Sequence, residues 1–475
     1  MEIIKLSAIE LRDKILNKEL TCEEVVNAFI KRCEECEKYN AVLEIFYDSL
    51  NIAKEMDQKI ESGFKGKLAG VPIIIKDNIL YEGKIASCSS KFLKNYVAQY
   101  NSTVVQKMLQ EGAIIIGRAN MDEFAMGSST ENSAFGTTHN PIDFDRVPGG
   151  SSGGSACAVA LNMCPIALGT ETGGSVRQPA SYCGIYGLKP SYGRISRFGV
   201  VAFASSLDQV GIFSKTIEDN ALMLEVLAGK DENDMTTSTN TPDHYLEDIN
   251  KKENFVVGIP KEILNLIKGM PCENNLLNFI EKLKQSGITI KEITLPNIEM
   301  GLPTYYILAP AEVASNLARF DGVKYTTRNK NAKNLQEIYK KSRSEGFGRE
   351  VKRRIMLGNY VLSSGFYDAY YNKAKAIQGK LIEEFENAFN VCDLIILPTT
   401  TGEAFKIGSK SSDPVETYKE DIFTVTANIV GVPSMSIPFG KGENDLPLGI
   451  QIMANKFEEN KIYKIAKFIN ENIGE

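Results

Sequence analysis

Histidine is nearly missing from this chain: His139 and His244 are the only two in 475 residues. Long apolar runs are missing too. No stretch of about 18 uncharged apolar residues occurs, so no transmembrane helix is expected. Met1 to Leu20 carries Glu2, Lys5, Glu10, Arg12, Asp13 and Lys14, charges that the apolar centre of a signal peptide would not tolerate. Excess positive charge is absent as well; the net charge is −6. That balance argues against a surface built to hold nucleic acid unaided, and any RNA-linked role would need a partner to supply the basic surface. The nine cysteines form no obvious framework. Only Cys33 and Cys36 are close, and no second Cys or His pair completes a metal set, so reduced thiols and no metal are expected. The expected setting is the cytoplasm, or an organelle of equivalent redox character.

What the chain does contain is core. Hydrophobic residues make up 43% and charged residues 24%, the balance of a globular protein. Residues 5–37 show helical spacing, with Thr21 and Glu24 forming a capping-box pattern at the start of a second helix. Val71 to Ile75 reads as a buried strand, Val104 to Gln110 as a helix and Ala113 to Ile116 as a strand. The alternation continues: helix from Thr216 to Leu227, strand from Phe255 to Ile259, helix from Asn274 to Gln285, strand from Ile288 to Leu295. Asp393 to Leu397, Ser434 to Ile437 and Leu448 to Met453 are further strand candidates. Such alternation predicts an α/β fold with its sheet covered by helices on both faces. Residues 1–475 are read as one large domain, with a catalytic core over about 65–230 and a polar surface excursion over about 230–254.

The most unusual tract runs from Pro148 to Pro190. It holds Gly149-Gly-Ser-Ser-Gly-Gly-Ser155 and Gly169-Thr-Glu-Thr-Gly-Gly-Ser175, with seven glycines between 149 and 174. Glycine costs backbone entropy on folding, so such density marks either a flexible linker or backbone brought close to a ligand. The apolar neighbours Ala156 to Leu161 and Ile166 to Leu168 argue against a linker. A phosphate cradle is disfavoured because neither GxxxxGK[ST] nor GxGxxG is present. The remaining reading is a nest of backbone N–H groups around serine hydroxyls, able to hold an oxyanion. Thr172-Gly173-Gly174-Ser175 suits that role, with Ser175 as nucleophile.

A serine nucleophile needs a base. His244 lies in the polar excursion, and His139, beside Asn140-Pro141, reads as a turn or packing residue that stays a candidate. Lys76, at the end of the Ile73-Ile-Ile75 run, is the alternative if it is neutral. Lowering its pKa from about 10.4 to about 7 costs ~4.6 kcal/mol, within reach of burial at a strand end.

The order Lys76, Gly149-Gly-Ser-Ser-Gly-Gly-Ser155, Gly173-Gly-Ser175 resembles the amidase signature family. The resemblance implies a mixed, twisted β-sheet flanked by helices and a Ser–cis-Ser–Lys triad. Ser175 would form the acyl-enzyme, Ser151, next to a cis peptide, would bridge, and Lys76 would be the base. The amides of Thr172 to Ser175 would form the oxyanion hole. Gly127 to Asn132, Arg146 to Pro148, Ala202 to Asp208, Ser315 to Gly322, Arg354 to Gly358 and Tyr367 to Tyr371 are similar to the tRNA-dependent amidotransferase branch of that family. That branch implies glutamine as substrate, with Arg354 on its carboxylate, Asp421 on its ammonium, and Tyr305, Tyr306 and Ser128 nearby. Arg353 competes with Arg354 for the first role. It also implies B and C subunits as partners, charged tRNA held mainly by the B subunit, and ATP with Mg acting there. No cofactor is implied for this chain. A stand-alone amidase acting on another amide is the rival reading.

Overall fold

Among the described residues, eleven strands form one sheet: β1 (Val42–Ile45), β2 (Pro72–Lys76), β3 (Ile114–Ala119), β4 (Ile166–Glu171), β5 (Tyr186–Lys189), β6 (Gln209–Ser214), β7 (Val256–Pro260), β8 (Thr289–Ile293), β9 (Leu394–Pro398), β10 (Ser434–Lys441) and β11 (Pro447–Ala454). Their order across the sheet is β1-β3-β2-β4-β6-β5-β10-β11-β9-β7-β8. The structure is a computed structural model and describes residues 2–410 and 413–473. β2 runs parallel to β3 and β4, and β7 runs parallel to β8 and β9; the remaining pairs are antiparallel. The sheet is therefore mixed.

Side-chain alternation explains why the central strands read as unbroken apolar runs. Ile73 and Ile75 enter one core cluster and Ile74 the other; Ile115 separates in the same way from Ile114 and Ile116. A strand with both faces buried has no polar side to show. The first cluster packs against helices Ile217–Leu227, Gly301–Asn316 and Glu459–Asn472, the second against Cys22–Glu35 and Gly153–Ala160. The expected break at Thr21 is present as a reciprocal capping box with Glu24.

The polar segment 230–254 is pinned to the body. Asp231 accepts the hydroxyls of Thr103 and Ser196 at 2.5 Å each, and Tyr245 is buried beside Tyr463. Among the described residues, no helix is long and apolar enough to cross a membrane, and no cluster of three His, Cys, Asp or Glu side chains is gathered as a metal would need. All nine cysteines are buried as free thiols.

Three features of this fold position the site. β2 and β4 lie side by side in parallel, so both end at the same edge, one with Lys76 and the other with Glu171. The loop entering helix Gly153–Ala160 brings Ser151 and Ser152 to that edge. Helices Gly301–Asn316 and Arg349–Val361 pack on each other and carry Tyr305, Tyr306, Glu350 and Arg354.

Candidate active site

Lys76 is fully buried, and its Nζ lies 2.8 Å from Ser151 Oγ, 2.7 Å from Ser152 Oγ and 3.2 Å from the Thr170 carbonyl. Burial pushes this amine down to about 7, against the pull of Asp122 and Asp208, which favour the charged form. An amine with that pKa can take a proton at neutral pH, which an ordinary lysine cannot. The peptide between Gly150 and Ser151 is cis. Ser175 reaches the same edge through the backbone, where the Ser152 N–H donates to the Ser175 carbonyl at 3.2 Å. The Ser175 hydroxyl makes no hydrogen bond among the described residues, and the residue as a whole is 9% exposed. The structure thus joins Lys76 to Ser151 directly and brings Ser175 alongside, without a formed bond between the two serine hydroxyls. Catalytic hydrogen bonds commonly tighten only once substrate is in place.

The nest at 172–175 is built by taking up its carbonyls. Gly173 C=O accepts Thr424 Oγ1 at 2.7 Å, Gly174 C=O accepts the Gln178 N–H at 2.9 Å, and Ser175 C=O accepts Ser152. In a planar trans peptide each N–H points opposite to the preceding carbonyl. The amides of Gly173, Gly174 and Ser175 are left without a hydrogen-bond partner among the described residues. Three free donors in succession suit a developing oxyanion. Glycine is required twice: a Cβ on Gly173 would fall 2.6 Å from the Tyr305 ring, and Gly174 has φ of 138°. Thr172 contributes through its side chain, which donates to Asp208 at 2.6 Å.

Sequence reasoning missed the scaffolding of this nest. Glu171 folds back to accept the Val176 and Arg177 N–H groups at 2.9 and 3.0 Å and forms a fully buried ion pair with the Arg177 guanidinium. Arg177 also donates to Gln451, the Thr424 carbonyl and Asn428. It ties the nest to the C-terminal third of the chain. Buried Asp122 accepts N–H groups from Thr130 and Asn132 at 2.8 and 3.1 Å and shapes the 127–132 loop, while its own N–H donates to the Ser151 carbonyl. No motif marks Asp122; it is one of two adjacent acids in Met121-Asp-Glu-Phe124.

Of the remaining expected residues, Ser128 and Arg354 line a cavity of about 350 Å³ together with Asn132, Glu350 and Tyr418, whereas Asp421, Tyr305 and Tyr306 do not line it. Ser128 Oγ lies 3.0 Å from both Asp421 oxygens, and Tyr306 donates to Asp421 at 2.7 Å. Burial raises the Asp421 carboxyl to about 7, although the Tyr306 and Ser128 hydroxyls and Arg354 favour its charged form. Arg354, only 3% exposed, sits among the rings of Tyr306, Tyr418 and Phe203. Arg353 is partly exposed and held by Glu350, so Arg354 is the buried arginine. Lys76 and Ser175 do not line this cavity. Tyr305, packed on Gly173, and Thr424, bonded to both the Gly173 and Asp421 carbonyls, join the recognition residues to the nest. The histidines stand apart from this chemistry: His139 stacks on Phe144 with Nδ1 2.8 Å from that residue's carbonyl, and His244 is exposed.

A buried lysine with its pKa lowered to about 7, a serine bonded to it, a second, unengaged serine and a row of free amides define a serine hydrolase of amides that works without histidine. The chain belongs to the amidase family, whose model matches residues 24–463. It is 50% identical to the A subunit of the glutamyl-tRNA(Gln) amidotransferase of Fusobacterium nucleatum, over 99% of this chain and 97% of that one. The crystal structure of the A subunit of the Thermotoga maritima glutamyl-tRNA(Gln) amidotransferase is 38% identical and superposes with a TM-score of 0.81 over 99% of this chain and 96% of that one. The peptide amidase of Stenotrophomonas maltophilia is 26% identical, with a TM-score of 0.83 over 99% and 97% of the two chains.

The two groups shifted to about 7 set a pH dependence. A base at Lys76 needs the free amine and an ammonium-holding role for Asp421 needs the anion, so protonation of either on acidification would remove that role. For an amide that carries an ammonium group, kcat/KM is expected to fall with a limiting slope of about two as pH drops through 7; for an uncharged amide the slope is about one. Rates on both substrates from pH 5 to 9 check this. Equal slopes would remove Asp421 from recognition.

Proposed function

We propose that this chain is the glutaminase subunit of a tRNA-dependent amidotransferase. It hydrolyses the side-chain amide of glutamine and hands the ammonia to a partner. The observation that carries the glutamine reading is buried Arg354, which lines a polar cavity, together with buried Asp421, bonded to the cavity-lining Ser128 and to Tyr306. Free glutamine is a zwitterion; a planar guanidinium suits its carboxylate and an aspartate its ammonium.

Ser175 Oγ attacks the amide carbon while its proton passes to Ser151 Oγ and the Ser151 proton passes to Lys76 Nζ. The oxyanion is held by the amides of 173–175. As the C–N bond breaks, the proton on Lys76 returns through Ser151 to the leaving nitrogen, which departs as ammonia. Water then attacks the ester, gives up its proton by the same relay, and glutamate leaves as the Ser175 hydroxyl is restored.

The acceptor chemistry falls to a B subunit that uses ATP and Mg to activate Glu-tRNA(Gln) or Asp-tRNA(Asn), with a C subunit supporting this chain. The similarity to chains that bear the name of one lettered subunit among several supports that division. The net charge of −6, which leaves tRNA contacts mainly to the partner, supports it too. The working place is the cytoplasm or an equivalent organelle.

A substrate series tests the glutamine reading. Butyramide lacks both α-substituents, glutaramate keeps the carboxylate and 4-aminobutyramide keeps the ammonium. Arg354→Lys is expected to raise KM for glutamine and glutaramate roughly 100-fold while sparing 4-aminobutyramide, because the bidentate geometry is lost. Asp421→Asn should show the reverse pattern. Wild-type rates that do not distinguish glutamine from butyramide would leave the stand-alone amidase as the better description.

A further inference from the structure

Glu350 has no place in the relay and does not touch the nest, yet it is a buried carboxylate beside the cavity. It stands one helical turn before Arg354 on helix Arg349–Val361, so the two side chains share a face. Glu350 Oε1 accepts Arg354 Nε at 2.8 Å and the Tyr418 hydroxyl at 2.7 Å; Oε2 pairs with Arg353. Both oxygens are occupied by donors of the protein. Tyr418 in turn stacks on Tyr306, with ring centroids 4.1 Å apart, and Tyr306 holds Asp421.

We infer that Glu350, braced by Tyr418, is a positioning residue for carboxylate capture: it grips Arg354 by the Nε edge so that the Nη edge is presented to the ligand. The inference rests on the glutamine reading above and deepens it. A guanidinium has five N–H donors in a fixed fork, and recognition of a carboxylate needs two of them parallel. Free rotation about the long arginine side chain would spend binding energy on ordering that fork. Held at Nε by Glu350 and between the rings of Tyr306, Tyr418 and Phe203, the plane is set before ligand arrives. The same carboxylate draws off Arg353, which also lines the cavity, so one guanidinium faces the ligand. Glu350 pairs with both adjacent arginines, and burial among the rings leaves Arg354 as the one that grips.

The test is steady-state kinetics of the assembled complex on glutamine, glutaramate, 4-aminobutyramide and butyramide. Glu350→Ala is expected to raise KM for glutamine and glutaramate by roughly 10- to 100-fold with kcat held within about twofold, and to leave butyramide and 4-aminobutyramide unchanged. Glu350→Gln keeps an acceptor for Nε and for the Tyr418 hydroxyl, and should recover most of the loss. Tyr418→Phe, which removes one brace and preserves the ring, should fall between wild type and Glu350→Ala. Equal losses on butyramide and glutamine would assign Glu350 to general folding and overturn the inference. Unchanged KM for glutaramate in Glu350→Ala would overturn it as well. Should the wild type fail to prefer glutamine over butyramide, the glutamine reading falls first and this inference with it.

Discussion

Ser175→Ala is expected to cut glutamine hydrolysis by about 10⁴-fold or more while the assembled complex still forms amidated product from added ammonium. Removing a nucleophile erases the covalent route; what remains is the pull of the oxyanion donors and of substrate binding, which alone give far slower turnover. The substitution is structurally mild. The Ser175 hydroxyl bonds to nothing among the described residues, and the contact that fixes the loop is the Ser152 N–H on the Ser175 carbonyl, which alanine keeps. The melting temperature should therefore stay within about 2 °C of wild type, since deleting an unbonded hydroxyl leaves no buried donor or acceptor stranded. The ammonium arm separates loss of the nucleophile from loss of assembly. A glutamine-like electrophile provides a second readout: mass spectrometry should find it on Ser175 in the wild type and on no serine of the variant. Retained glutamine use by Ser175→Ala would end the proposed mechanism.

The parts of this protein that were legible in its sequence are those where one local rule decides. Strands β2, β3 and β4 showed as apolar runs because both sheet faces are covered, and Thr21 announced a helix because its capping box is a four-residue device. β1 is half-buried throughout, β5 opens on half-buried Tyr186 and has Gly187 inside it, and β6 mixes Gln209, Gly211 and Ser214 with its apolar residues. Those three carry no strong period of two or run of four, so they went unread. In the site, Lys76 was legible from its place at a buried strand end, and the nest from its glycines. Arg354 and Asp421 were accessible only through resemblance. Asp421 lies in a short turn, Lys419–Asp421, without any motif, and its contact with Ser128 spans 293 residues. Glu350 was available in principle, as the acid four residues before Arg354. Glu171 and Arg177 sat inside the quoted tract, yet their ion pair depends on packing against Gln451 and Asn428, which no local pattern encodes.

Lys76→Met carries the second large effect, and it separates catalysis from stability. Without the base the relay has no proton acceptor, and glutamine hydrolysis should fall by about 10³- to 10⁴-fold, at the upper end of what general-base removal costs. Stability should move the other way near neutrality. Burial holds the Lys76 pKa at about 7 in the folded chain against 10.5 for a free side chain, so between those values the unfolded chain binds a proton that the folded chain does not. Folding must release that proton, which costs about 1.4 kcal/mol for each pH unit of the gap, on the order of 4–5 kcal/mol at pH 7. Methionine fills a similar volume and has no such cost, although it strands the Ser151 hydroxyl and forgoes the bonds to the Thr170 carbonyl and to Ser152, which keeps its own bonds to Thr170, worth together roughly 3 kcal/mol. The variant is expected to be more stable than wild type by about 1–2 kcal/mol at pH 7. As pH rises from 7 toward 10.5 the cost in the wild type disappears, so the advantage should shrink by about 1.4 kcal/mol per unit and reverse above roughly pH 8. Denaturant unfolding of both proteins at pH 7, 8 and 9 measures that slope. A stability difference that does not change with pH would mean that Lys76 is charged in the folded protein, and a charged ammonium could not accept the proton that Ser151 relays.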